Sequence, residues 1–258
     1  MRFHILTLFP SFFDSPFQSS ILGRAVTNGL VDIRLYDIRD YTLDRHRTAD
    51  DYLFGGGSGM LMKVEPLARS IEAVRENVAQ ESSVEASQRA PVILLSPQGR
   101  VFSQAIAEEL AVQEDIVLIC GHYEGVDQRV REHLATDEIS LGDFVVTGGE
   151  AAAVVMVDAV SRLQAGVVGD PQSVALDSHS SGLLQHPQYT RPRSFQGWDV
   201  PDVLLSGNHA DVERWRRQQS LLRTLQRRPD LLARATLSKD DVKFLAEHGY
   251  SGLDGTER

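Results

Sequence analysis

Two neighbouring segments constrain this chain more than any other stretch: Leu118-Ile-Cys-Gly-His-Tyr-Glu-Gly-Val-Asp127, and Glu138-Ile-Ser-Leu-Gly-Asp-Phe-Val-Val-Thr-Gly-Gly-Glu150. The first reads as an apolar strand ending in glycine and acids. The second reads as a strand over residues 144–146 that ends in Gly148-Gly149 and opens onto an alanine-rich helix. A strand that is apolar without alternation is buried on both faces, as in a parallel sheet covered by helices. Glycines at strand ends let main-chain groups approach a ligand that a Cβ would hold away. Two such ends close in sequence predict one small-molecule pocket built from main chain.

The rest of the first half fits that sheet. Residues 3–8, 31–37, 92–95 and 116–120 read as short apolar strands, with helical periodicity near 17–27, 64–76, 103–112 and 126–134. The alternation predicts an α/β domain with a mostly parallel sheet. Residues 80–89 are polar and aperiodic, which predicts a surface loop. Thr147-Gly-Gly-Glu150 has capping-box spacing for a helix running to about Gln164. Residues 1–168 then form the α/β domain. Residues 169–186, rich in Gly, Pro and Ser, read as a flexible linker. Residues 187–258 form a small helical domain with helices at 209–226, 229–234 and 239–248, started by Asp230 and Ser238, and a frayed tail from Ser251.

A formal net charge of −10 argues against nucleic acid as a partner, but its distribution argues the other way. Arg214, Arg216, Arg217, Arg223, Arg227, Arg228 and Arg234 crowd one stretch, and local field governs contact with phosphates. The single Cys120 excludes a disulfide framework or multi-cysteine zinc site, and its apolar strand predicts a buried structural thiol. The start carries no signal-peptide pattern and no apolar run approaches a membrane span, so the expected compartment is the cytoplasm.

Several motifs keep two readings each. Leu53-Phe-Gly-Gly-Gly-Ser-Gly-Met-Leu-Met-Lys63 lacks the ending of a phosphate-cradling loop, and is either a flexible turn or a loop that closes over substrate. Ser96-Pro97-Gln98-Gly99 is a generic turn, yet it follows a strand and adds a third glycine-bearing strand end, where open α/β sheets bind ligands. Glu124 either accepts hydrogen bonds from a purine edge or stabilises a helix start. Arg162, four residues after Asp158, reads as an ion-paired helix end, and Asp177 as a solvated acid. His179 and His186 lack the spacing of metal ligands. Tyr189-Thr-Arg191-Pro-Arg193 and Arg214-Trp-Arg-Arg217 suit phosphate contact and base stacking, or form a solvated basic face with Trp215 packed inward.

Taken in order, these motifs resemble the bacterial tRNA (guanine-N1)-methyltransferases of the SPOUT class, which modify guanosine 37, just 3′ of the anticodon. The matching segments include residues 51–63, 94–100, 120–130, 139–169 and 182–192, and Ser206-Gly-Asn-His209 through Arg228-Pro-Asp-Leu-Leu232. The resemblance implies a parallel sheet with a deep C-terminal trefoil knot and a helical C-terminal domain. It implies a homodimer with active sites shared between subunits, and a tRNA anticodon stem-loop as partner. It places S-adenosylmethionine against Ser96, Pro97, Gln98, Gly99, Gly121, Tyr123, Ser140, Leu141, Gly142, Asp143, Phe144, Val145, Val146, Gly148 and Gly149. Asp177 matches the base that removes the guanine N1 proton, and Arg162 the arginine that positions it and steadies charge on O6. Glu124, Gly59, Arg191, Arg214 and Arg217 match the RNA-facing set. Magnesium is associated with the family, but no carboxylate cluster in the sequence marks a site for it. The resemblance departs at His122, commonly Arg, at Ser58, often Pro or Ala, and at Leu176, often acidic.

Overall fold

The computed structural model describes residues 1–170 and 176–252. Part of the expected linker (171–175) and the end of the expected frayed tail (253–258) lie outside the described residues. The chain divides into two compact units, Met1–Pro171 and Gln172–Arg258.

The first unit is an α/β layer structure. Five parallel strands, β1 (Arg2–Thr7), β2 (Asp32–Asp37), β5 (Val92–Val101), β6 (Asp115–Cys120) and β7 (Asp137–Ser140), lie in the order β2-β1-β6-β5-β7. A short antiparallel pair, β3 (Asp50–Tyr52) and β4 (Met60–Met62), stands apart from that sheet. Side chains alternate across the pleat. Phe3, Ile5, Ile93, Leu95, Ile116, Leu118 and Cys120 join one core with α1 (Ser20–Thr27), α4 (Gln104–Ala111) and α6 (Glu150–Ser161). Leu6, Val92, Leu94, Val117 and Ile119 join the other with α2 (Val64–Glu81), α3 (Val84–Arg89) and α5 (Gln128–His133). Every residue of β6 is buried, as the unbroken apolar run Ile116–Cys120 requires, and Asp115 at its start is buried with them. Cys120 is among them, and burial pushes its thiol pKa well up, which leaves it an inert structural thiol.

Three local expectations are corrected. Residues 144–146 are not a strand: Phe144, Val145 and Val146 are exposed at 55%, 82% and 48%, and the edge strand is β7 instead. That strand escapes a hydrophobic pattern because it opens with Asp137 and Glu138, neutralised by Arg100 and Arg131. Residues 80–89 are helical: α2 runs on to Glu81 and α3 follows, its start capped by Ser83 Oγ accepting from Ala86 N at 3.1 Å. The Thr147–Glu150 capping box is absent, because the N-cap of α6 is Gly149 and the Glu150 carboxylate accepts from Thr7 Oγ1 at 2.7 Å. The helix also ends earlier, at Ser161.

One charged cluster lies inside this unit. Asp115, buried at the start of β6, accepts from Arg2 Nε at 2.6 Å, from Arg2 Nη2 at 2.8 Å and from His4 Nε2 at 3.0 Å. Burial lowers the pKa of His4 and its carboxylate partner only partly offsets this, so the ring is neutral and its Nδ1 accepts from Tyr36 Oη. Burial pushes Asp115 up, but hydrogen bonds from Arg2 and His4 outweigh it and hold the carboxyl below its usual range. Both groups therefore have folded pKa values below their unfolded ones. The stability they contribute is complete above about pH 6.5. It falls on acidification, first as His4 is forced to charge and then as Asp115 protonates. Thermal melts should show a midpoint that drops between pH 7 and 5, and His4→Gln should flatten that drop.

The second unit is small and mostly helical. Its helices are α7 (His209–Arg227), α8 (Pro229–Leu232) and α9 (Lys239–Glu247), beside a short hairpin of β8 (Ser194–Phe195) and β9 (Trp198–Asp199). Leu183, Leu221, Leu232 and Leu245 form its core. Ser238 starts α9 with a reciprocal capping box to Asp241, the helix-start signal that the sequence carried. Residues 178–185 join this unit through Gln185 N to Ser178 Oγ at 3.0 Å and Leu184 N to Thr224 Oγ1 at 2.9 Å.

Candidate active site

The carboxyl ends of β5, β6 and β7 meet at one cavity of about 240 Å³, the scale of a small molecule rather than a polymer. Its construction follows from two backbone irregularities. Leu95 and Arg100 both stand in register with Ile139, so residues 96–99 loop out of β5 as one wall. After β7 the chain turns at Gly142, whose amide donates to Ser140 Oγ at 3.1 Å, and returns to the end of β6. There Gly149 N donates to Gly121 O at 2.8 Å and His122 bridges to Gly148. A Cβ on Gly149 would stand 2.7 Å from Cys120 Cα, so only glycine lets α6 start against the strand.

The sequence-read cofactor residues Ser96, Pro97, Gln98, Gly121, Tyr123, Ser140, Leu141, Phe144, Val145, Val146, Gly148 and Gly149 all line this cavity. Three others do not. Gly99 lies against the main chain of Glu138 and Ile139, Gly142 closes the turn, and Asp143 is exposed. Phe144–Val146, too exposed for a core strand, supply an apolar side to the cavity. Arg131 and Thr147 also line it. The sequence pattern passed over Arg131 because its partners Gln98 and Ser96 lie 33 and 35 residues earlier in the chain.

Glu124 lines the same cavity from the turn after β6. Gly59 sits directly on it: a Cβ there would fall 2.6 Å from Glu124 Oε1, and the residue has φ of +91°. The glycine-rich segment is thus tied to the site through Glu124 N to Met60 O and Met62 N to Gly125 O, each 3.0 Å. Beneath, His122 Nδ1 is buried with no hydrogen-bond partner among the described residues, 3.9 Å from the Glu150 carboxylate. Its ring packs between Phe9 and Tyr123, with centroids at 4.8 and 4.9 Å.

Arg162 and Asp177 fall one in each unit. Arg162 is the half-buried C-cap of α6, its amide bonded to Asp158 O at 3.1 Å, and Asp177 is half-buried in a turn. Of the arginines read as RNA-facing, Arg191 is exposed and Arg214 pairs with Asp211 at 3.3 Å on the surface of α7. Arg217 is built differently. It donates to both Asp241 oxygens, at 3.1 and 2.8 Å, and to Thr236 O at 3.2 Å, joining α7 to α9. Arg217→Ala leaves the mostly buried Asp241 without its cation and should destabilise the second unit by about 1–3 kcal/mol. Denaturant melts of the full chain check this, and an unchanged midpoint would make Arg217 a surface residue.

A parallel sheet covered on both faces, with a main-chain-lined cleft outside its strand ends, places the first unit among the α/β proteins, whose ligands sit at such strand ends. Comparison with known proteins narrows that class. The sequence profile of tRNA (Guanine-1)-methyltransferase TrmD matches residues 1–234. A tRNA (guanine-N(1)-)-methyltransferase of Dehalococcoides mccartyi is 57% identical over 247 residues, covering 96% of this chain and 96% of the relative. Those of Geotalea uraniireducens (55% over 256 residues; 99% and 100% covered) and Chloroflexus aggregans (54% over 257; 98% and 97%) agree along the whole length. The chain belongs to the tRNA (guanine-1)-methyltransferase family.

Proposed function

We propose that this chain transfers the methyl group of S-adenosylmethionine to N1 of the guanine at tRNA position 37. The observation that carries the reading is the main-chain-lined cavity at the ends of β5, β6 and β7, in a chain of this family. The residues present fit the methyl donor. Peptide groups at Gly121, Leu141 and Gly148 suit the polar edges of a nucleoside, and Leu141, Phe144 and Val146 suit its apolar faces. The return of residues 141–149 to β6, across the end of β5, supports a deep trefoil knot, an exception to ordinary chain connectivity.

Bound there, S-adenosylmethionine supplies a methyl on cationic sulfur, so that N1–C bond formation accompanies departure of the S–C electron pair onto sulfur. The protein's task is to manage the proton and the charge on guanine. N1 is a poor nucleophile while protonated, and the Asp177 carboxylate takes that proton during attack. Arg162 orients Asp177 and stabilises the negative charge that develops on O6. Glu124 and Gly59 receive the guanine beside the donor. Arg191 and Arg214 reach the phosphates of the anticodon stem-loop, supported by Arg217. Residues 1–168 hold the donor, and 187–258, with 178–185 packed onto them, grip the RNA. A homodimer with sites shared between subunits fits exposed Phe12 and Val155, at 50% and 48%, on elements that pack together. The reaction would take place in the cytoplasm, where its tRNA substrate is found; no helix among the described residues is long and apolar enough to cross a membrane. Among the described residues no group of three or more His, Cys, Asp or Glu side chains assembles for a metal ion, and no step here is routed through magnesium.

Transcripts carrying G or A after the anticodon, incubated with labelled donor, test the reading. Label should enter only the G transcript. Label in the A transcript would overturn it, as would a protein that binds donor and RNA without transfer.

A further inference from the structure

Arg131 stands outside the cofactor set read from the sequence, yet it reaches the cavity from α5. Its guanidinium donates to Gln98 Oε1 at 3.0 Å and to Ser96 Oγ at 3.3 Å, and pairs with Glu138 of β7. The wall it touches is seated on β7 at Gly99, but its Ser96–Gln98 part has few other ties. Residues 96–99 leave the sheet, Pro97 and Gln98 are exposed, and no side chain of the bulge joins either core. Within the bulge, Gln98 N donates to Ser96 Oγ at 3.2 Å. Arg100, at the far end, is committed to Asp137 and Glu109. A bulge free to sample other shapes weakens any ligand that needs one of them, in proportion to the fraction of time the right one is present. A guanidinium spreads its donors over a rigid planar fork, here Nη1 to Gln98 and Glu138 and Nη2 to Ser96, whereas the three donors of an ammonium radiate from a single nitrogen and do not span the same acceptors.

We propose that Arg131, anchored on Glu138, is a positioning residue that holds the Ser96–Gln98 wall in the shape that receives S-adenosylmethionine. The inference rests on the reading of this cavity as the methyl-donor site. It assigns donor affinity to a side chain that need not touch the reacting atoms.

The test compares the wild-type chain with Arg131→Met and Arg131→Lys by calorimetric titration with S-adenosylmethionine and S-adenosylhomocysteine, and by steady-state transfer to tRNA. Arg131→Met should weaken both ligands about tenfold, the loss of roughly one charge-assisted hydrogen bond. KM for the donor should rise by the same factor, with kcat within about twofold. Arg131→Lys keeps a cation beside Glu138 and should recover the melting temperature but not the affinity. A merely structural role would move melting and kcat together and let lysine rescue both. If Arg131→Met does not fold, Glu138→Gln releases the anchor while leaving the donors in place, and should weaken the ligands in the same direction. Unchanged affinity in the folded variants, beside a wild type that binds, overturns the proposal alone. A wild type that binds neither ligand overturns the donor-site reading and this inference with it.

Discussion

With Asp177 as the proposed base, Asp177→Asn is expected to lower methyl transfer by about 10²–10⁴-fold while affinity for S-adenosylmethionine stays within about twofold of wild type. Asparagine has nearly the shape of aspartate but cannot take a proton from guanine N1, so the nucleophile stays protonated and the chemical step slows. The donor cavity is lined by residues 94–152, and Asp177 is not among them. Single-turnover transfer at saturating donor, with calorimetry for binding, separates the two effects. Near-normal turnover would remove Asp177 as the base, and a matching loss of donor affinity would make its role one of binding.

Asp115→Ala should cost the fold about 3–5 kcal/mol. The substitution removes the acceptor of the fully buried His4 Nε2 and the carboxylate that holds Arg2 Nε, leaving Arg2 only Glu81 and Ser82 and the buried imidazole N–H without a partner. For a unit of this size the loss corresponds to a melting temperature lower by roughly 10 °C. Asp115 stands at the opposite end of β6 from Gly121, so at a temperature where the variant stays folded its donor affinity should match wild type. Differential scanning calorimetry and donor titration together check this. A melting temperature within about 1 °C of wild type would show that the buried cluster contributes little.

The central strands were legible because burial on both faces leaves a chemical trace: the apolar runs of β1 and β6 admit few other placements. β7 was not, since its acids are neutralised by arginines from other elements, and pairing across the chain is invisible to a local pattern. Phe144–Val146 misled for the converse reason, because apolar side chains that face a cavity look in sequence like those that face a core. Gly121, Gly148 and Gly149 do line one cavity, but at Gly149 the missing Cβ is required by the close start of α6 against Cys120. Arg131 and the seat of Gly59 on Glu124 depend on contacts between distant segments and leave no periodic signal. Arg162 and Asp177 were picked out by family resemblance alone, as a helix end and a polar turn carry no chemical mark of their own. Arg217 shows the limit of counting arginines, since a cation in a basic stretch is also the tie between two helices.

In the proposed reaction the methyl group is delivered to guanine N1 at one tRNA position. Methylation there blocks the Watson–Crick edge and arrests reverse transcription. Primer extension on tRNA treated with the protein and S-adenosylmethionine, followed by nucleoside mass spectrometry of the same product, reads both position and atom. A donor-dependent stop at the guanosine 3′ of the anticodon is expected, with 1-methylguanosine as the new nucleoside; a ribose-methylated product, or a stop at another position, would overturn the proposed activity.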